Sequence, residues 1–265
     1  MGMALVEYLV ERRERKSLFW WTPKDGSVNV GDHLSKVLVS SVLALRDTNL
    51  LRKRPGTPRL LCIGSVLHFA TNGEVVWGTG INGKIPAQAH RFSTLDVRAV
   101  RGPKTRQVLA DMGISAPQVY GDPALLTPRF FDADLLRGKG AKKPYVVVPH
   151  FNESLDKYAG YEELLVSPRV EPATFISQLL GAERVVSSSL HGVILAEAYG
   201  IPAVYLDWGN GEDRFKYDDY YAGTGRQTWR SGSSVEECLE IGGNAAFDLA
   251  AIQRGLMDTF PYDLW

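Results

Sequence analysis

Residues 185–206 leave the chain fewer ways to fold than any other stretch. Val185 and Val186 end a β-branched run, and Ser187, Ser188, Ser189 and His191 crowd the turn that follows. Residues 193–199 are apolar enough for a buried helix, which Gly200 and Pro202 close. Ala203 to Leu206 reads as a second buried strand. This is a strand–helix–strand unit with a polar turn at the helix start. In α/β proteins such turns lie where ligands bind, and the free N–H groups and dipole of the helix start favour an anion. The segment therefore predicts an anion site with a titratable group, His191, in its middle.

The rest of the chain repeats this alternation. Helical spacing covers 3–16, with Leu5, Tyr8 and Leu9 on one face, and Phe19 to Trp21 reads as a first core strand. A turn and amphipathic helix follow over 29–46, then strand-like pieces at 59–63, 74–77 and 95–100. A helix over 103–112 stops at Gly113, and 118–120 reads as a short strand. The charged, glycine-bearing stretch 131–144 reads as an interdomain link. Beyond it come a strand at 145–149, helices at 172–181 and 190–199, and strands at 184–187 and 203–206. Gly209, Asn210 and Gly211 open a loop read through 207–221, and 233–241 and 246–259 read as terminal helices. Strands alternating with helices indicate parallel sheets. The fold class expected is α/β, as two Rossmann-like domains facing a central cleft. The first spans 1–135 and the second 136–265, with the final helix packing back on the first domain.

Bulk properties exclude some partners. Lys+Arg and Asp+Glu balance at 30 each, so charge does not make the molecule a nucleic-acid binder. The two cysteines, Cys62 and Cys238, lack metal-ligand spacing and read as reduced, buried thiols. No segment has the ~18 apolar residues of a membrane span, and Glu7, Glu11 and several arginines interrupt the N-terminal apolar stretch, unlike a signal peptide. A cytoplasmic protein is expected. Arg12, Arg13, Arg15 and Lys16, with Arg52, Lys53 and Arg54, form either a solvated face or a basic patch for an anionic membrane surface. No dinucleotide or P-loop glycine fingerprint is present, and no acidic pair clearly calls for a metal.

Several polar residues fall at strand ends or helix starts. Asn29 and Asp32 open the 29–46 helix, where Asp32 serves either as a cap or as a base toward a hydroxyl. Arg101 ends a strand ahead of Pro103 and is either a surface arginine or a clamp for a carboxylate or phosphate. Asp122 holds a turn or orients an acceptor hydroxyl. His150 ends the YVVVP strand. In the 207–221 loop, Arg214 and Lys216 can meet an anion, and Trp208, Tyr217 and Tyr220 can stack on a sugar.

Four motifs occur in order: NVGDHL (29–34), VRGPKT (100–105), YGDPALL (120–126) and SSSLHGVILAEAYGIP (187–202). Together they make the chain resemble the polysaccharide pyruvyl transferase family. The resemblance implies a GT-B-like fold and transfer of pyruvate from phosphoenolpyruvate, a co-substrate, with no metal or other cofactor. It implies a ketal on the 4- and 6-hydroxyls of a terminal mannose, and an acceptor that is a polyprenyl-diphosphate-linked oligosaccharide at the inner face of the cytoplasmic membrane. In this frame His191 is the general acid, Asp32 the base, and His150 a second candidate for either role. Arg101, Ser187, Ser188, Ser189, Gly192, Arg214 and Lys216 are candidates for the donor, and Asn29, Asp122, Trp208, Tyr217 and Tyr220 for the acceptor. The family often carries an arginine where this chain has Ser189, so other groups must meet the donor's charge. The residues alone leave two other readings open: a nucleotide-sugar glycosyltransferase of the same architecture, and a non-catalytic sugar-binding module.

Overall fold

The computed structural model describes residues 2–209 and 211–265, with side chains from Val6 onward; Asn210 and the Leu5 side chain lie outside what it describes. Two parallel four-stranded sheets organise the molecule. The first half contains α1 (Gly2–Ser17), β1 (Leu18–Phe19), α2 (Val30–Ala44), β2 (Leu60–Leu61), β3 (Val75–Trp77), β4 (Asp96–Ala99) and α3 (Pro103–Asp111). After α4 (Ala133–Leu136), the second half contains β5 (Val146–Val148), α5 (Pro172–Leu180), β6 (Val185–Ser187), α6 (Leu190–Ala198) and β7 (Ala203–Leu206). It continues through α7 (Phe215–Gly223), β8 (Ser231–Gly232), α8 (Val235–Ile241) and α9 (Leu249–Asp258).

Both sheets run in simple sequence order, β1-β2-β3-β4 and β5-β6-β7-β8. In register, Leu18 pairs with Leu60 and Leu60 with Val75; Val146 pairs with Val185 and Val185 with Ala203. These strands are continuous apolar runs because helices cover both faces of each sheet. Neither sheet reverses its strand order, so neither has the switch point at which doubly wound sheets bind ligands. The turns after β1, β2, β5 and β6 instead line one pocket.

A single apolar core crosses from one half to the other, joining Leu34, Leu38 and Trp77 to Val148, Val193 and Tyr217. Residues 123–129 form a 3-10 segment, started by the Asp122 carboxylate accepting from Ala124 N–H at 3.0 Å. It packs between α2 and α6. The C-terminal residues lie on the first half: Trp77 Nε1 donates to Leu256 O at 2.9 Å, and Arg54 N–H to Leu264 O at 2.9 Å.

Several elements differ from the sequence reading, which has no strand at β8, paired with β7, and no helix at α4. The 118–120 strand is reduced to one bridge between Val100 and Tyr120, because Gly121 and Pro123 turn the chain away. Part of the 207–221 loop is α7, whose inner face is Tyr217, Tyr220 and Tyr221. Among the described residues no helix is long and apolar enough to cross a membrane.

Candidate functional site

Two helices begin at the pocket. Asn29 precedes α2 and Ser189 precedes α6; both line the pocket, and neither side chain caps its own helix. Val30 N–H, the first of α2, donates to Pro168 O at 3.0 Å, so the later first-turn N–H groups are the ones that keep their capacity for an anion. The cavity, about 250 Å³, is also bordered by Asp32, His150, His191 and Lys216.

His191 enters between the helices because Gly31 has no side chain. A methyl group on Gly31 would lie 2.1 Å from His191 Nδ1. On the other side, His191 Nε2 faces Asp122 Oδ2 at 3.7 Å. Both atoms are buried and have no hydrogen-bond partner. Gly64, with φ of +99°, turns the chain after β2 so closely that a methyl there would meet Asp32 Oδ1 at 2.9 Å. Asp32 keeps part of its surface at the pocket wall while its carboxyl lies deep among protein atoms. Burial pushes that carboxyl up to about 7, and Asp122 adds to the effect, against the pull of His191 and Lys216. Asp32 thus changes protonation near neutral pH, as a proton-transfer group must.

His150 is in a different state. Burial, reinforced by Lys216, lowers its imidazole to about 4. It is neutral at neutral pH and has no proton to spare as an acid. Its Nε2 lies 3.7 Å from Glu212. Glu212 also pairs with Lys216 and Lys84. Burial alone would raise the Glu212 carboxyl, but Lys216, Lys84 and His150 draw it down to about 2. Beneath the pocket floor, Glu153 accepts from His150 N–H at 2.8 Å and from the hydroxyls of Ser188 and Tyr158.

The structure distributes the remaining sequence candidates as follows. Ser189 and Asn29 line the pocket. Ser187 is buried, its hydroxyl beside the backbone of Val148 and Ser189 and in the space that a side chain on Gly192 would need. Ser188 is buried against Glu153 and Tyr158. Arg101 is 0% exposed, so it is not an open clamp. Its Nε donates to Asp219 at 3.0 Å, Nη1 to Ser65 Oγ at 2.6 Å and Nη2 to Ile81 O at 2.6 Å. Arg214 lies outside the pocket, paired with Asp207 at 3.3 Å and stacked over Trp229. Tyr217 and Tyr220 are fully buried and present no face to a sugar; their hydroxyls donate to Ser188 O and Glu197. Trp208 packs edge-on against Tyr158 and donates to its hydroxyl at 3.2 Å. Asp122 is fully buried behind His191, away from any acceptor. Lys216 is therefore the cation, among those singled out for the donor, that borders the pocket; burial lowers its ammonium, opposed by Glu212.

Sequence reasoning passed over Trp21, Phe69 and Phe151, which give the pocket an aromatic wall, and Glu153, Glu212 and Asp219, which hold its basic groups. A signal for α7 was present: Tyr217, Tyr220, Tyr221 and Thr224 follow helical i, i+3, i+4, i+7 spacing. Among the described residues no three His, Cys, Asp or Glu side chains converge as a metal ion requires.

Comparison with known proteins gives the site its family context. The family model for polysaccharide pyruvyl transferase matches residues 5–210. The chain is 28% identical to a succinoglycan biosynthesis protein, ExoV, of Rhizobium meliloti, over 76% of this chain and 63% of that protein. It thus spans under two thirds of that relative's length. It is 26% identical to an uncharacterised protein, L143, of Acanthamoeba polyphaga mimivirus, over 73% of this chain and 70% of that one. No solved structure matches. The family match runs from α1 through the end of β7 and so takes in the turns that carry Asp32, Asp122, His150 and His191; the chain belongs to the polysaccharide pyruvyl transferase family.

Proposed function

We propose that this pocket moves pyruvate from phosphoenolpyruvate to the 4- and 6-hydroxyls of a terminal mannose, releasing phosphate and leaving a ketal. The acceptor in this reading is the polyprenyl-diphosphate-linked repeat unit of an exopolysaccharide of the xanthan type, and the fold serves as a GT-B-like pair of domains that needs no metal. One observation carries the reading: two uncapped helix starts, His191 and Lys216 share a pocket with a carboxyl that titrates near 7. The donor has a phosphate and a carboxylate on the same carbon. Two helix N-termini and one lysine supply positive potential for both, in place of the arginine replaced by Ser189.

The chemistry follows from the donor. A proton adds to its methylene carbon, and the electron deficit falls on the neighbouring carbon that bears the phosphate oxygen. One mannose hydroxyl attacks that carbon and loses its proton. The C–O bond to phosphate then breaks, and the second hydroxyl closes the ring as its proton passes to the departing phosphate. His191 gives the proton and Asp32 receives the one from the hydroxyl, with Asp122 behind the imidazole. Trp21, Phe69 and Phe151 offer the sugar its apolar contacts.

Thermal stability with ligands tests this. Phosphoenolpyruvate is expected to raise the melting temperature while nucleotides and nucleotide-sugars leave it unchanged. Stabilisation by a nucleotide-sugar alone would replace this reading with glycosyl transfer. A folded His191→Ala protein is expected to lose turnover by roughly a hundredfold or more. Near-normal turnover would remove His191 from the proton-transfer role.

A further inference from the structure

The outer face of α1 is built unlike the inner one. On the inner face, Glu14 pairs with Lys36 of α2 at 2.8 Å, and Arg15 pairs with Glu11 and lies over Trp20. Ser17 Oγ donates to Leu50 O at 2.9 Å. Outward, Val6 is 59% exposed and Leu9 48% exposed, followed by exposed Arg13 and Lys16. Positions 6, 9, 13 and 16 fall within about 80° of arc on a helix, so they form one stripe, apolar at its start and cationic at its end.

At its cationic end the stripe meets the loop after Leu50. There Arg13, Lys16, Lys53, Arg54 and Thr57 line a recess of about 300 Å³, beside Leu51, which is 40% exposed. Lys53 Nζ is held in place by Thr57 O. Among the described residues, no carboxylate lies within ion-pair distance of Arg12, Arg13, Lys16, Arg52, Lys53 or Arg54. Glu11 and Glu14 are taken by Arg15 and Lys36; Asp263, which feels the charge of Arg54, is held by Arg98 at 2.8 Å. Glu7 sits about 160° around the helix from Leu9. In a chain of formal net charge +0, four cations without a carboxylate partner around one recess, Arg13, Lys16, Lys53 and Arg54, are a strongly uneven distribution.

We infer that this face docks on an anionic phospholipid surface: the recess seats a headgroup phosphate, and Val6, Leu9 and Leu51 enter the boundary between headgroups and acyl chains. A bare polyanion such as nucleic acid accounts for the cations but gives no role to the exposed apolar residues. A lipid surface accounts for both. The inference deepens the proposed function, whose lipid-linked acceptor requires contact with a membrane; the binding itself is read without any turnover.

The test is sedimentation of the whole chain with vesicles. It is expected to pellet with phosphatidylcholine vesicles containing phosphatidylglycerol at low salt, and to be released as salt rises. Pure phosphatidylcholine vesicles are expected to leave it in solution. Combining Arg13→Glu, Lys16→Glu, Lys53→Glu and Arg54→Glu should weaken binding at least about tenfold. A Val6→Ser, Leu9→Ser protein, altered only at exposed positions, should also bind more weakly. Both variants should keep the wild-type rate on a water-soluble acceptor fragment. Failure to pellet with phosphatidylglycerol vesicles at low salt overturns the inference, as does charge-reversed protein that pellets like wild type. Retention by a single-stranded oligonucleotide without retention by vesicles overturns it in favour of a nucleic-acid surface. Vesicle binding without pyruvyl transfer would leave the docking surface standing and remove the proposed reaction.

Discussion

A single hydrogen at Gly31 leaves His191 its place, since a methyl group there would sit 2.1 Å from Nδ1. Gly31→Ala must push the imidazole away from Asp122 or shift the start of α2. Overpacking of this kind costs about 1–3 kcal/mol. The fall in kcat is expected to be far larger than that stability loss suggests, near the effect of removing His191 itself; comparing kcat with the denaturation midpoint checks this. Asp32 gives a pH signature. Its carboxyl titrates near 7 when folded, against 3.8 ordinarily, so the folded chain holds a proton that the unfolded chain releases between those values. That contribution to stability is complete below the lower value and is lost as pH rises through the upper one. Asp32→Asn, always neutral, escapes the loss. Relative to wild type the variant should gain stability between pH 5 and pH 8, by at most roughly 3 kcal/mol, as read by denaturant melts at the two pH values. An equal offset at both would contradict it. Asp32 and His191 were legible in sequence because each follows a strand at a helix start. The packing of His191 against Gly31, the neighbour of Asp32, was not, since residues so far apart in the chain meet only through packing. The same holds for Arg101: an arginine at a strand end looks the same in sequence whether it faces a ligand or a buried aspartate.

Among the elements, α7 does the most that was not foreseen. Its residues read as a loop because Gly209, Asn210 and Gly211 open the stretch 207–221. Asp219 turns inward to the buried Arg101, and the tyrosine spacing settles the element as a helix. Strands β1 to β7 were legible, most of them as the apolar runs of buried parallel strands, and their ends shifted where turns replaced pairing; β8, Ser231–Gly232, has no apolar run and was missed. From α7, Asp219 reaches the first half, accepting from Arg101 and from both the N–H and hydroxyl of Thr105 at the start of α3. All of these groups are buried. Asp219→Ala would leave the Arg101 guanidinium buried without its counter-charge, a change that costs about 3–5 kcal/mol. Urea unfolding should show a loss of that size. Because Arg101 does not open onto the pocket, the remaining folded protein should keep its KM for phosphoenolpyruvate. A large rise in KM at unchanged stability would return Arg101 to the donor site.

At the scale of the molecule, the two sheets are tied in three ways that their separate strand ladders conceal. One apolar core runs through both halves by way of residues 123–129. The Arg101–Asp219 pair crosses between them. The C-terminal residues return to the first half, where Leu256 accepts from Trp77, Leu264 from Arg54, and Val42 accepts from Tyr262 at 3.1 Å. Splitting the halves would strand a buried charge and expose core on both sides, so neither half has a stable state alone. Heating is therefore expected to give one calorimetric transition whose van't Hoff and calorimetric enthalpies agree. A ligand bound at one hundred times its Kd should move that transition as a whole, by about 2.7 kcal/mol, because the pocket takes residues from both halves. Two transitions, with only one moved by the ligand, would show that the halves fold independently and that the pocket belongs to one of them.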